Sequence, residues 1–208
     1  IADLSKSAVA FAVGDVMGHG VAAAMLMATA RGILHSSCTE RGSLGELMGH
    51  LNDLLVEVTG GTRFMTMVLL VIDAERGELR LSSAGHDPPF IYDPVRDAFI
   101  ELEEGGMPLG IMSGEKFPES SHSSLPIGGV VLISTDGVWE AQNADDEAFG
   151  KDRIREVIRA NAHRSSREIG RCLHEALEAF CGDARQLDDI TFVVARRLKV
   201  DRDLSAAI

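Results

Sequence analysis

Three short segments of this 208-residue sequence carry carboxylates where chemistry could occur. The first is Gly14-Asp15-Val16-Met17-Gly18-His19-Gly20, after an apolar run. The second is Ser134-Thr135-Asp136-Gly137-Val138, after Val130–Ile133. The third is Leu187-Asp188-Asp189-Ile190-Thr191, where the acids precede an apolar run. Taken singly, each reads as an ordinary turn, because Asp and Gly suit turns. Jointly they place carboxylates at the rims of buried strands, where they can converge. Clustered carboxylates repel and resist ionising together, and a bound cation removes that penalty. Oxygen ligands with little His or Cys nearby select Mg²⁺ or Mn²⁺ over zinc. Gly14, Gly18 and Gly20 let the backbone pass close to such ions. Two ions about 4 Å apart suit phosphate-ester hydrolysis, with no nucleophilic side chain required.

These residues need elements to hold them. Residues 8–14 read as a buried strand, and Val21–Ser36, apolar nearly all round, as a buried helix packed closely on its neighbours. Ser43-Leu44-Gly45-Glu46 is a capping box that opens a second helix, ended by Gly60-Gly61. Phe64–Asp73 and Glu78–Ala84 form a hairpin around residues 74–77. Short strands are expected at 89–92 and 98–102, and an irregular region with room for one strand at 103–128. A buried strand at 130–134 leads to helices at 151–161 and 166–181, the latter behind the capping box of Ser165 and Glu168. Ile190–Leu198 is the last strand. Strands in hairpin pairs and helices in separate pairs argue for an α+β fold with antiparallel sheets. Residues 1–198 are expected to form one domain and 199–208 a tail.

Composition limits the alternatives. Hydrophobic residues make up 45% and charged residues 25%, which is globular. The net charge of −12 and the lack of a basic face argue against nucleic acid. No run of about 20 apolar residues could span a membrane, so no membrane contact is expected from this segment. Cys38, Cys172 and Cys181 lack zinc spacing and suit a reducing, cytoplasmic setting, with Cys172 on the apolar stripe of its helix. No P-loop motif is present. Ser134 stands where a haloacid-dehalogenase phosphatase would need its nucleophilic aspartate. His86 reads as loop structure, and the other histidines apart from His19 carry no signal. Trp139 is expected to pack beneath the second aspartate motif. The 103–128 region is the expected place for substrate recognition.

The three segments, taken with Arg63-Phe64-Met65-Thr66, Ala84-Gly85-His86-Asp87-Pro88-Pro89, Pro108-Leu109-Gly110 and Trp139-Glu140-Ala141, resemble the bacterial branch of the type 2C (metal-dependent, PPM) protein phosphatases. This is the branch of SpoIIE- and RsbU-like serine phosphatases. The blocks follow family order and cover nearly the whole chain. The resemblance implies a four-layer α-β-β-α sandwich of two mainly antiparallel sheets flanked by helix pairs. It implies two divalent cations, Mn²⁺ or Mg²⁺. Asp15 would bridge both, the carbonyl of Val16 would bind one, and Asp136 and Asp188 would complete the other. Asp189 sits where relatives often have Asn; either member of the pair can be the ligand, with Asp188 preferred. Gly18, Gly20 and Gly137 would shape the site, and His19 would be either a general acid or part of the turn. The attacking group would be a metal-activated water.

Relatives carry a Gly-Gly-Asp-type motif one strand earlier. This sequence starts after it, and Asp3 does not sit in such a motif. The chain reads as a segment of a longer protein: either the motif lies upstream of Ile1 or the parent lacks it, and whether the first sheet lacks its N-terminal strand is left open. The expected reaction is hydrolysis of phosphoserine or phosphothreonine on a signalling protein. By resemblance the substrate is an anti-sigma factor antagonist in a stress, sporulation or signalling pathway, with a sensory or receiver domain upstream in the parent chain. A homodimer is left open. The alternative is a non-catalytic pseudophosphatase that acts as a partner-binding regulatory module.

Overall fold

A computed structural model describes residues 1–5, 7–37, 42–102, 105–122 and 125–199. Cys38 and residues 200–208 of the expected tail lie outside the described residues. In chain order the elements are β1 (Ala2–Asp3), β2 (Ala8–Val16), α1 (Val21–Ser37), α2 (Leu44–Thr59), β3 (Met65–Asp73), β4 (Glu78–Ala84), β5 (Phe90–Asp93), β6 (Ala98–Glu101), β7 (Ser120–His122), β8 (Val130–Ser134), α3 (Gly150–Asn161), α4 (Ser166–Cys181) and β9 (Phe192–Arg196). One turn of 3-10 helix, Asp136–Val138, follows β8. The fold is α+β with two sheets, and every pairing whose register is described is antiparallel.

The chain divides into two compact units. The first holds Ile1–Ile72, Leu79–Pro88 and Glu103–His122. Its sheet runs in the order β1-β2-β3-β4-β7. β1 is a two-residue strand that places Ala2 opposite Ala10. Met65, Met67, Leu69 and Val71 of β3 share a core with Leu26 and Ala30 of α1 and with Leu47, Met48, Leu51 and Leu55 of α2. Val68 and Leu70 on the other face of β3 are buried too, so this inner strand is apolar on both faces from Met67 to Ile72.

The helix starts follow the sequence. Ser43 accepts from Glu46 N–H and Glu46 reaches back to Ser43 N–H. A second acid, Glu119, accepts from Leu44 N–H at 2.5 Å and from Arg80 at 3.1 Å. At the other end Gly60 takes a left-handed conformation, φ 63°, and its N–H bonds Val56 O.

Two expectations for this unit are corrected. α1 is not a buried helix. Val21 is 78%, Met25 66% and Met27 50% exposed, while only Ala23, Leu26, Ala30 and Ser37 are buried. One stripe of small residues and Leu meets the core, and the methionines face outward. β2 is likewise half-buried rather than buried, with Val13 alone fully inside.

The second unit holds Asp73–Glu78, Pro89–Leu102 and Ser123–Ile208. Its sheet runs β6-β5-β8-β9. β8 is buried at all five positions. Val130 and Leu132 pack with Phe90, Tyr92, Ile154, Ile158, Ile169, Leu173 and Leu177, so α3 and α4 bury their apolar stripes on this sheet. The Ser165–Glu168 capping box is formed. β9 is shorter than expected, because residues 187–191 cross to the aspartate segment before pairing begins at Phe192. Cys172 is half-buried rather than buried. Arg197 closes the far end: its guanidinium donates to the carbonyls of Ala74, Glu75 and Leu125 at 2.6–2.7 Å. Among the described residues no helix is long and apolar enough to cross a membrane.

Candidate functional site

In the first unit, Asp15 and Val16 end β2, and both are half-buried. Gly14 is required by packing: a Cβ there would lie 2.8 Å from Thr66 O and 2.9 Å from the Met65 methyl carbon. That close approach lays β2 against β3, and Met17 N–H continues it by donating to Phe64 O at 3.1 Å. Gly18 and Gly20 are required by conformation instead. Both have φ of +83°, and a Cβ at either would meet nothing within 4 Å. The loop therefore turns sharply while leaving open space beside it. His19 is exposed on that loop. Gly20 O then accepts from Ala24 N–H at 3.0 Å and starts α1.

Beside this loop lies a pair that the sequence did not reveal. Thr66 Oγ1 and His86 Nδ1 are 2.9 Å apart, and His86 is buried. Ser83 Oγ donates to the His86 carbonyl at 3.2 Å. His86 lies in the loop between β4 and β5, as expected, and is buried and tied there. The available signal was Thr66, the one polar side chain in the run Met65–Ile72.

In the second unit, β8 delivers Asp136 to the first position of the 3-10 turn. The Asp136 carbonyl accepts from Trp139 N–H at 3.0 Å and Glu140 N–H at 2.9 Å. Its side chain is half-buried, and Oδ1 is buried with no hydrogen-bond partner among the described residues. The Asp188–Asp189 segment is held against this turn by Thr135. Thr135 N–H donates to Thr191 O at 3.0 Å. Its hydroxyl donates to Asp189 O at 3.2 Å and accepts from Thr191 N–H at 3.2 Å. Gly137 completes the fit, because a Cβ there would collide with the Asp189 carbonyl oxygen. Asp188 is exposed; its Oδ1 accepts from Asp189 N–H at 2.7 Å, and its carbonyl from Gln186 Nε2 at 2.7 Å. Asp189 is exposed and contributes its main chain to the clamp. Trp139 is half-buried against the core of this unit, with the Lys151 ammonium 4.8 Å from its ring centre.

A buried carboxylate oxygen without a donor is costly unless a cation satisfies it. The side chains of Asp136 and Asp188 offer carboxylate oxygens, and such a set fits a hard divalent ion.

Comparison with known proteins agrees with this layout. RsbU, a phosphoserine phosphatase of Bacillus subtilis (strain 168), is 24% identical over 192 residues, covering 92% of this chain and 56% of RsbU. The chain thus spans a little over half the length of that relative. The structure of the RsbU and RsbW domains of Rv1364c from Mycobacterium tuberculosis superposes with a TM-score of 0.75 at 30% identity, covering 92% of this chain and 52% of that one. The SiaA-PP2C domain of Pseudomonas aeruginosa gives a TM-score of 0.80 at 22% identity, over 93% of this chain and 78% of that one. The fold is therefore PP2C-like. The profile of the family described as Stage II sporulation protein E (SpoIIE) matches residues 5–198, and the chain belongs to that family.

Proposed function

We propose that this chain is the catalytic domain of a metal-dependent protein serine/threonine phosphatase. The observation that carries the reading is the buried Asp136 Oδ1 with no hydrogen-bond partner among the described residues. An unsatisfied buried carboxylate oxygen is what a cation site needs. Asp136 and Asp188 lie in the same unit, where Thr135 and Gly137 hold their segments together, and both offer carboxylate oxygens. RsbX, a structural relative at TM-score 0.68 and 18% identity, has been crystallised in complex with magnesium.

On this reading Asp15, the Val16 carbonyl, Asp136 and Asp188 hold two Mn²⁺ or Mg²⁺ ions. Bound there, such ions supply Lewis-acid charge toward a phosphoryl group and lower the pKa of a coordinated water. The residues of this chain do the positioning. Thr135 and Gly137 fix the Asp188–Asp189 segment to the Asp136 turn. Gly18 and Gly20 keep side chains out of the space beside Asp15. His19, exposed on the same loop, would either hold a proton for a leaving oxygen or serve the turn.

The four-layer sandwich, an anti-sigma factor antagonist as phosphorylated substrate, a sensory or receiver domain in the parent chain and a cytoplasmic setting belong to the same proposal. RsbU's name as a phosphoserine phosphatase supports it.

The test is hydrolysis of a phosphoserine peptide with and without Mn²⁺, on the parent chain and on Asp136→Asn. Altering partners outside the coordination sphere costs about 10–100-fold, so replacing a ligand should cost at least about 100-fold. The parent should be inert without metal. A folded parent that binds Mn²⁺ yet hydrolyses nothing would transfer the reading to a partner-binding pseudophosphatase.

A further inference from the structure

We infer that a cleft in the second unit is the subsite for an aliphatic substrate residue two positions from the phosphoserine; this rests on the phosphatase reading above. The cleft has a volume of about 470 Å³, inside the range of about 300–1,000 Å³ usual for ligand sites. Ala141, Ala148, Leu177 and Ile190 line it with apolar surface. Its walls are the C-terminal half of α4, the stretch after the 3-10 turn, and residues 182–190.

Two of its lining residues join it to the candidate metal site. Gly137 directly follows Asp136, and Asp188 itself lines the wall. The cleft therefore opens beside the place where a phosphoseryl group would sit. In an extended peptide, residues i and i±2 point the same way, about 7 Å apart. A phosphoserine directed at the aspartates thus sends its second neighbour, not its first, toward this mouth.

The chemistry of the lining selects the side chain. The acid on the α4 wall, Glu178, is already engaged by His174 at 3.5 Å. Of the remaining charges, Glu140 and Arg185 oppose each other in sign, and Asp188 belongs to the proposed metal site. With six apolar side chains in its lining, the cleft favours an uncharged aliphatic group. Ala141, Ala148 and Ala184 leave the room for it.

The experiment uses two phosphoserine peptides, one with Leu at positions −2 and +2 and one with Ala at both. Hydrolysis with Mn²⁺ is read alongside binding by fluorescence anisotropy in the presence of a chelator. The parent should prefer the Leu peptide about tenfold in kcat/KM and in binding, the order expected for filling an apolar pocket. Ala148→Phe and Ala184→Phe fill the cleft from two separate walls and should each erase the preference. Reading a ratio between peptides keeps the result independent of overall loss of activity. Hydrolysis without preference in the parent, or a preference that survives both variants, overturns the cleft and leaves the phosphatase reading standing. Binding preference without hydrolysis, lost in both variants, supports the cleft and overturns the phosphatase reading. Neither binding preference nor hydrolysis overturns both.

Discussion

At Gly137 a carbonyl, rather than a turn, sets the residue type. Its φ is not in the left-handed region, yet a Cβ there would collide with Asp189 O. The sequence displayed Asp136-Gly137 as a turn pair, and only the structure gives the reason for the glycine. The same holds for Thr135, whose hydroxyl and N–H join two segments more than fifty residues apart. No local pattern announces such a long-range bond. By contrast, the aspartates themselves were legible, because an acid at the end of an apolar run is visible without a fold. Gly137→Ala should therefore displace the Asp188–Asp189 segment. Overpacking of this kind costs about 1–3 kcal/mol, measurable by urea denaturation. Mn²⁺ affinity, followed by calorimetry, should fall with it. Unchanged affinity in a destabilised variant would show that Gly137 serves packing alone.

At the scale of elements, the ends of helices were the clearest features. Ser43 with Glu46 and Ser165 with Glu168 both form the reciprocal hydrogen bonds their spacing implies. The burial of α1 was not legible because apolar composition does not tell which faces have partners; Ala23, Leu26 and Ala30 meet the core while Val21 and Met25 face outward. The 103–128 region was legible as irregular with room for one strand, which is β7, but its anchoring to α2 was not legible. Asn52, buried at 1% exposure, accepts from Gly110 N–H at 2.9 Å and donates to Met112 O at 2.8 Å. One turn edge further, Asp53 accepts from Gly114 N–H at 2.8 Å in an exposed position. Asn52→Ala leaves a buried N–H without its acceptor and should cost about 1–3 kcal/mol. The Gly110 amide should lose its hydrogen-exchange protection in that variant. Asp53→Ala, removing an exposed bond, should cost less than about 1 kcal/mol. Equal losses in the two variants would mean that burial does not set the strength of this anchor.

For the whole molecule, a net charge of −12 sets two separate responses to cations. Excess negative charge opposes the compact state by self-repulsion, and simple salt screens it over about 8 Å at physiological ionic strength. Sodium chloride should therefore raise Tm modestly in the parent and equally in Asp136→Asn. A specific site acts by a different law. A ligand that binds only the folded chain stabilises it by about 2.7 kcal/mol at a hundredfold excess over its Kd. Mn²⁺ added at constant, physiological sodium chloride should thus raise the parent's Tm by several degrees, as expected for a chain of this size. The shift should follow Mn²⁺ concentration logarithmically and return to the starting value with chelator. Asp136→Asn should show only the sodium chloride response. This measurement is independent of turnover, so it tests the carboxylate site even if no substrate is known. If Mn²⁺ stabilises both proteins alike, the ion is screening the acidic surface, and the buried oxygen of Asp136 is not part of a cation site.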